Sequence, residues 1–181
     1  MKSNDCTLFS GGAKGAEEEF GAQAEKFGVE EVSFTFEGHS IRRKRGLHFL
    51  TNEELKKGEV SLAYISKLMN RSYTHGPKLK KVLQSIWHQI NNAEEVFVIG
   101  KILDDRTVKG GTGWGAEFAK LCNKPLYVFD QDDKRWFKWS QDRWKKATPK
   151  IHKKHFAGGG TRFLTPEGKK AIANLYKESF Q

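Results

Sequence analysis

The chain has 181 residues, of which 37% are hydrophobic and 30% are charged, and this composition is typical of a globular protein with a single core. No apolar run approaches the roughly 18 residues that a membrane-spanning helix needs, and residues 1–5 lack the apolar stretch of a secretory signal. We therefore expect a cytoplasmic protein that does not contact membranes. The two cysteines, Cys6 and Cys122, are expected to be reduced and buried.

The formal net charge of +10 is the unusual feature of the composition. Basic residues are concentrated in residues 42–45, 78–81 and 134–154. A positive field attracts phosphate groups, either on a nucleotide or along a nucleic acid. The alternative is that these segments are solvated loops without a ligand. Net charge affects solubility and the rate at which charged molecules meet the protein more than it determines the fold.

In the first half of the chain, short apolar runs alternate with amphipathic stretches. Strands are predicted over residues 6–9 and 31–36, and helices over Ala16–Phe27, over residues 60–70 and from Pro77 onward. Gly28 is expected to end the first helix. Residues 37–58 have no clear period, so we expect a long loop or a partly ordered excursion over the ligand site.

The second half continues the same alternation. Residues 95–102 are the most apolar run and predict a central strand buried on both faces. The remaining predicted elements are a strand over residues 125–130, an antiparallel hairpin within residues 134–146, and a last helix with Thr165 as N-cap and Pro166 in its first position. The pattern predicts an α/β fold with a mostly parallel sheet and a short C-terminal antiparallel addition.

Two glycine-rich segments each follow a predicted strand and precede a predicted helix. The first is Ser-Gly-Gly-Ala-Lys-Gly-Ala-Glu at residues 10–17, and the second is Gly-Gly-Thr-Gly-Trp-Gly-Ala-Glu at residues 110–117. Glycine lets the backbone approach a ligand closely, and a helix N-terminus offers free N–H groups to a phosphate. The first segment is neither a Walker A motif nor a dinucleotide fingerprint. The pair predicts a nucleotide site or, in the alternative, tight turns without a ligand.

These segments and their neighbours resemble, in order, the motifs of the SLOG superfamily, which includes the LOG-type nucleotide phosphoribohydrolases and the DprA-type DNA-processing proteins. Residues 110–117 resemble the Gly-Gly-x-Gly-Thr-x-x-Glu signature, with Trp114 at the position of the family's threonine. The other matches are the first glycine turn at residues 10–16, the arginine-bearing segment at Asn70 and Arg71, and the strand after the second turn at residues 125–129. The resemblance covers residues 6–130.

The resemblance implies a single Rossmann-like three-layer domain over residues 1–181, with residues 6–130 as its core and residues 131–181 as a C-terminal extension. It also implies a nucleotide or nucleotide-like ligand and a homodimer. The implied phosphate cradle consists of Ser10, Gly11, Gly12, Gly110, Gly111, Thr112 and Gly113, with Lys14 and Trp114 beside it.

In the family's enzymes the N-glycosidic bond of a nucleoside monophosphate is hydrolysed. The resemblance implies that Glu117 stabilises the positive charge that develops on the sugar or orients water, and that Arg71 holds the phosphate or the leaving group. The alternative for Glu117 is favourable electrostatics with the helix dipole.

Two further places could contact a ligand. Asp130, at the carboxyl end of its strand, is placed to contact a ribose hydroxyl or to bind a divalent ion, although a polar turn is the simpler explanation. Thr161 and Arg162 follow a third glycine run, Gly158–Gly160, which is expected either to close over a phosphate or to form a flexible connector. No group of residues has the spacing of a metal site, so we predict no metal and no cofactor.

Three functions remain open at this stage. The first is a nucleotide-binding protein that hydrolyses an N-glycosidic bond, and the second is a non-catalytic sensor of a nucleotide signal. The third is a single-stranded nucleic-acid binder, because tryptophans and lysines are interleaved in residues 134–146. For that segment the alternative is aromatic core or dimer-interface material.

Overall fold

An eight-stranded mixed sheet forms the centre of the protein, in the order β3-β2-β1-β8-β4-β5-β6-β7. The computed structural model describes residues 1–73 and 76–181. The strands are β1 (Thr7–Ser10), β2 (Glu30–Thr35), β3 (Leu47–Phe49), β4 (Glu95–Gly100), β5 (Leu126–Asp130), β6 (Arg135–Ser140), β7 (Arg143–Lys146) and β8 (His155–Gly160). Strands β1 to β5 and β8 pair in parallel, while β6 and β7 are antiparallel additions at one edge.

Helices cover both faces of this sheet. They are α1 (Ala16–Phe27), α2 (Asn52–Lys56), α3 (Glu59–Met69), α4 (Pro77–Asn92), α5 (Thr112–Leu121) and α6 (Pro166–Phe180). Strand β4 is fully buried and contributes side chains to the hydrophobic core on each face of the sheet. Phe97 and Ile99 pack in the core beneath α1 and α6, whereas Val96 and Val98 pack in the core beneath α3, α4 and α5. The predicted α/β fold, a Rossmann-like arrangement of three layers with a short antiparallel addition, is confirmed.

The third glycine run is a strand, which corrects the expectation of a flexible connector; that this region contacts a phosphate stays a prediction. Residues Gly158–Gly160 belong to β8, which lies between β1 and β4 in the middle of the sheet. A Cβ at Gly158 would stand 2.6 Å from the ring of Phe20, so α1 packs directly on bare backbone there. The segment from residue 131 onward therefore supplies a central strand as well as the edge hairpin.

Residues 37–58 are more ordered than their lack of period indicated. Strand β3 pairs in parallel with β2, and a capping box between Thr51 and Glu54 starts α2. The Arg43 guanidinium lies 2.6 Å from a carboxylate oxygen of the buried Glu31, and the Arg43 N–H donates to the carbonyl of Gly12 at 3.1 Å. Because charge pairing and backbone bonds hold this segment, a periodicity search misses it.

The sequence correctly identifies most of the other helix and strand boundaries. Gly28 ends α1 in the left-handed conformation, and the Thr165 hydroxyl accepts from the N–H of Gly168 to cap α6. The expectation of two buried cysteines is wrong for Cys122, which is exposed beyond the last turn of α5, while Cys6 is buried and both are free. Within residues 1–73 and 76–181, no helix combines the length and apolar character needed to cross a membrane.

Candidate functional site

The carboxyl ends of the parallel strands meet at one edge of the sheet, and a small cavity of about 50 Å³ extends from the glycines of β8 at this edge beneath α4 and α5. We call it the β8 cavity. Its lining residues are Glu17, Ile86, Gln89, Ile90, Val96, Val98, Thr112, Gly115, Ala157, Gly159 and Gly160. These residues come from α1, α4, α5, β4 and β8, so no stretch of sequence contains the site. Open α/β sheets bind ligands at this edge.

Glu17 is the charged residue of the β8 cavity. It lies in the first turn of α1, it is 9% exposed, and its Oε2 atom accepts the N–H of Ala13 at 2.9 Å. The N–H of Gly11 and the amide of Gln89 also hydrogen-bond to this carboxylate. Burial raises the pKa of Glu17 because water no longer solvates its charge, and these hydrogen bonds oppose that rise.

Two glycines make room for the pair formed by Glu17 and Gln89. A Cβ at Gly11 would stand 2.7 Å from Gln89 Nε2 and 2.9 Å from Glu17 Oε2, so a side chain there would displace both groups. On the strand below, a Cβ at Gly159 would stand 3.9 Å from Gln89 Oε1 and 3.9 Å from Glu17 Oε1. The bare backbone of Gly159 therefore leaves open the space that these two oxygens face.

The first glycine segment is closed by the residues that follow β8. The carbonyl of Thr161 accepts the N–H of Ala16 at 3.0 Å, and the N–H of Thr161 donates to Ile99 at 2.9 Å. Gly15 has a φ of 96°, and a Cβ there would stand 2.5 Å from the Thr161 carbonyl oxygen. Among the described residues, the buried hydroxyl of Ser10 has no hydrogen-bond partner. The first glycine segment and Thr161 are thus brought together.

Positive charge surrounds this end of the sheet. Lys14, Lys78 and Arg162 are exposed, and the charges of Lys78 and Arg162 both act on His39. Burial lowers the pKa of His39, and the two nearby cations lower it further. The His39 Nδ1 atom lies 3.1 Å from the hydroxyl of Thr35 at the end of β2. We call the exposed cations Lys14, Lys78 and Arg162 the cationic rim. Because the charge of Arg162 also acts on Glu17, this rim extends to the β8 cavity.

The second glycine segment differs from its expected form. Helix α5 begins at Thr112, so Gly113 and Gly115 are helical rather than part of a turn. A Cβ at Gly113 would collide with the carbonyl oxygen of Val108, and one at Gly115 would stand 3.1 Å from Ile86. Trp114 is 5% exposed and packs edge-on against Tyr73 at 5.7 Å between ring centroids. These two glycines serve helix packing, and only Gly110 and Gly111 stand open.

Arg71 and Glu117, the residues that the resemblance indicated for catalysis, lie outside the lining of the β8 cavity. Arg71 donates through Nη1 to the carbonyl of Val108 at 2.9 Å and through Nη2 to the hydroxyl of Thr107 at 2.6 Å. Glu117 forms a 2.6 Å ion pair with Lys120, and both side chains are 12% exposed. Each residue therefore has a partner within the protein.

Asp130 ends β5 beside a second cavity of about 320 Å³, lined by Ile102, Leu103, Asp104, Asp130, Asp132, Asp133, Phe137 and Trp144. We call it the acidic cavity. The Asp130 carboxylate accepts the N–H of Ile102 at 2.6 Å and those of Asp132 and Asp133 at 2.9 Å each. Its two oxygens thus hold the turns after β4 and β5. In the described part of the chain, no three His, Cys, Asp or Glu side chains are arranged so that they could hold a metal ion.

The tryptophans of the β6–β7 hairpin pack inward. Trp136 contacts Phe97 and Phe129 edge-on, at 6.3 and 5.5 Å between centroids. The ammonium group of Lys120 lies 3.8 Å from the ring centroid of Trp139 and 5.1 Å from that of Trp144. These rings thus have partners within the protein, which favours the interpretation of the segment as core material.

Sequence reasoning missed Glu17, Gln89 and His39. Glu17 stood in the quoted first segment, but its burial depends on α4, which is distant in sequence. Gln89 lies between Ile86 and Ile90 in α4, but the buried residues of this helix also include Gln84, Ser85 and His88. Its polar character therefore does not single it out in the sequence.

Comparisons with known proteins support the fold. No protein-family model matches the sequence, and no curated protein matches it. The crystal structure at 1.45 Å of a "Putative molybdenum carrier protein" from Syntrophus aciditrophicus SB superposes with a TM-score of 0.57 at 15% sequence identity. The match covers 98% of this chain and 96% of the other. At this identity the similarity establishes a shared α/β fold along the whole chain.

Proposed function

We propose that this protein binds a small anionic molecule of the nucleotide class at the carboxyl edge of its sheet. The neutral part of the ligand enters the β8 cavity, and its phosphate lies at the cationic rim formed by Lys14, Lys78 and Arg162. The proposed ligand would then lie beside the N-terminal turns of α1 and α5, where the helix dipoles favour negative charge.

The observation that carries this proposal is the β8 cavity itself. It combines a floor of bare strand backbone at Gly159 with a buried hydrogen-bonding pair, Glu17 and Gln89. A buried carboxylate is costly to maintain, and perturbed carboxylates concentrate at functional sites. The membership in the SLOG superfamily that the sequence motifs indicate is part of this proposal. The structural neighbour is named "Putative molybdenum carrier protein", and a carrier binds a small molecule or ion, which agrees with a binding role for this fold.

Thermal unfolding with added ligand tests the proposal. Nucleoside monophosphates, ADP-ribose, molybdate and inorganic phosphate are compared at equal ionic strength. A ligand at 100 times its dissociation constant adds about 2.7 kcal/mol to the free energy of unfolding, so the melting temperature should rise for the nucleotides and stay unchanged with inorganic phosphate alone. Molybdate as the sole stabilising species would contradict a nucleotide ligand.

Matched variants locate the site. Arg162→Ala should weaken binding of the stabilising nucleotide about tenfold, because one charge-assisted contact to the phosphate is lost. Lys170→Ala, an exposed cation on α6, serves as the control and should leave affinity unchanged. Equal losses in both variants would indicate general charge attraction without a built site.

Turnover and nucleic-acid binding are the rival functions. We favour binding without turnover, since the Glu117 carboxylate is paired with Lys120. Chromatography of nucleotide incubated with the protein should then show no free base, and release of base that Glu117→Gln abolishes would establish the hydrolase instead.

Single-stranded DNA should bind only weakly, because the hairpin tryptophans pack inward. The homodimer remains a prediction, which light scattering tests.

A further inference from the structure

The hydrogen-bonding character of the β8 cavity indicates which part of the ligand enters it. The Gln89 side chain directs Nε2 toward Gly11 and hydrogen-bonds to Glu17, and its Oε1 atom lies on the side of Gly159. Glu17 is oriented in the same way, with Oε2 on the Ala13 N–H and Oε1 on the side of Gly159. Two oxygen atoms from different helices thus face one patch of strand backbone.

Oxygen acceptors select hydrogen-bond donors. A phosphate offers only acceptor oxygens at neutral pH, and a buried carboxylate repels its charge, so the phosphate is excluded from this end of the site. A group with two neighbouring O–H donors satisfies both Oε1 atoms at once. Among the parts of a nucleotide, the vicinal hydroxyls of ribose have this pattern, and acidic side chains bind ribose hydroxyls in other folds with this sheet edge.

The size of the β8 cavity agrees with the entry of only one part of the ligand. Sites that enclose a whole small molecule have volumes of roughly 300–1,000 Å³, whereas the β8 cavity has about 50 Å³. It therefore admits one edge of a sugar and leaves the base and phosphate outside. The side chains of Ile86, Ile90, Val96 and Val98 make the remaining lining apolar, which suits the carbon face of a sugar ring.

We propose that Glu17 and Gln89 are specificity-determining residues that bind the vicinal hydroxyls of a ribonucleotide and thereby reject its deoxy counterparts. This inference rests on the proposed function. The discrimination arises because a deoxy sugar leaves the two buried oxygens without donors.

Calorimetric titration of nucleoside monophosphates with their 2′-deoxy and 2′,3′-dideoxy analogues tests the inference. The ribonucleotide should bind about tenfold more tightly than the 2′-deoxy form, with a further loss for the dideoxy form. Gln89→Met removes one acceptor at nearly constant volume and should bring the ratio between ribose and deoxyribose forms toward one. This variant is preferred to a change at Glu17, which also holds the backbone of the first glycine segment.

Gln84→Met is the matched control, since Gln84 is 4% exposed on the same helix and its Nε2 donates to Glu59 at 2.9 Å. It should keep the discrimination of the unmodified protein. Equal affinity for ribose and dideoxyribose forms, or a ratio that survives in Gln89→Met, overturns the inference while leaving nucleotide binding intact. Failure of every nucleotide to bind, ADP-ribose included, overturns the proposed function and the inference with it.

Discussion

The two glycine-rich segments look alike in sequence and have different tasks in the structure. In residues 10–17 the glycines lie in the loop between β1 and α1, where Gly15 has a positive φ and Gly11 lies against Glu17 and Gln89. In residues 110–117 the helix begins earlier, and Gly113 and Gly115 lie within α5 against Val108 and Ile86. The first segment is shaped around a cavity, whereas half of the second serves the contact between α5 and its neighbours.

This difference shows that a run of glycines predicts that some group lies close to the backbone but does not identify that group. Backbone, a side chain or a ligand each require the same absence of Cβ. Single alanine substitutions separate these cases, because the cost of a methyl group depends on the atoms around it.

The largest expected effect is that of Gly15→Ala. The new Cβ meets the Thr161 carbonyl and the Arg162 backbone, and the left-handed φ of 96° adds strain. We expect a loss of about 4 kcal/mol in the free energy of unfolding, measured by urea denaturation. Gly110→Ala is the control, with a φ of 71° and no atom within 4 Å, and should lose about 1 kcal/mol from strain alone. Equal losses would contradict the described closure by residues 161–162.

Gly113→Ala should destabilise by about 2–3 kcal/mol through overpacking without backbone strain. The methyl group meets the Val108 carbonyl and stands 2.7 Å from the Arg71 guanidinium, so it disturbs the contact that holds Arg71. Urea denaturation measures the loss. A stabilised variant, as expected for a glycine in an open helix, would show that α5 does not pack closely here.

Glu17→Gln should stabilise the protein at neutral pH. Because the pKa of Glu17 is raised in the folded state, the folded protein binds more protons than the unfolded chain, and stability falls as pH rises from the ordinary glutamate pKa toward the raised value. The neutral amide removes this loss, and we expect the melting temperature to rise by about 2–4 °C for each 1 kcal/mol gained.

The advantage of Glu17→Gln should disappear below the ordinary glutamate pKa, where the carboxyl group is protonated in both states. Scanning calorimetry across the pH series measures it. An advantage that persists at low pH would assign the gain to packing rather than to the buried charge. The same variant should bind ribonucleotides less well, as expected where function is kept at a cost in stability.

The smallest expected effect belongs to Gly111→Ala. Gly111 has helical dihedral angles at the start of α5 and open space at its Cβ position. The substitution should change the free energy of unfolding by no more than about 0.5 kcal/mol, or stabilise slightly by restricting the unfolded chain. Urea denaturation checks this value, and a clear loss would imply a neighbour that the structure does not place there.

Much of the fold follows from local pattern. The period of α4, the burial of β4 and the cap at Thr165 are each encoded within a few residues, and the structure has them where the sequence places them. Strand β8 could not be predicted in this way. Its run Gly158–Gly160 has the composition of a loop and forms a strand because it pairs with β4, while β1 pairs with the preceding residues 155–157 of the same strand.

The residues of the candidate site likewise divide into those that a local motif indicates and those that only the tertiary structure brings together. Ser10, Gly11 and Thr161 could be proposed from motifs, since Ser10 and Gly11 stand where a predicted strand ends and Thr161 follows a glycine run. Gln89 could not, because its relevance depends on α4 crossing above β8. Whether Arg71 and Glu117 act on a ligand was likewise beyond the motif, since their contacts are with the loop before α5 and with Lys120.

By itself the sequence determined an α/β chain with a parallel sheet, glycine turns at its carboxyl edge and an excess of positive charge, because periodicity, capping and composition are local properties. Only the tertiary structure decided that β8 lies at the centre, that the second glycine segment is half helix, and that Glu17 and Gln89 face one cavity. The reason is that burial and hydrogen bonding between distant segments depend on the order of strands in the sheet, which no local pattern specifies.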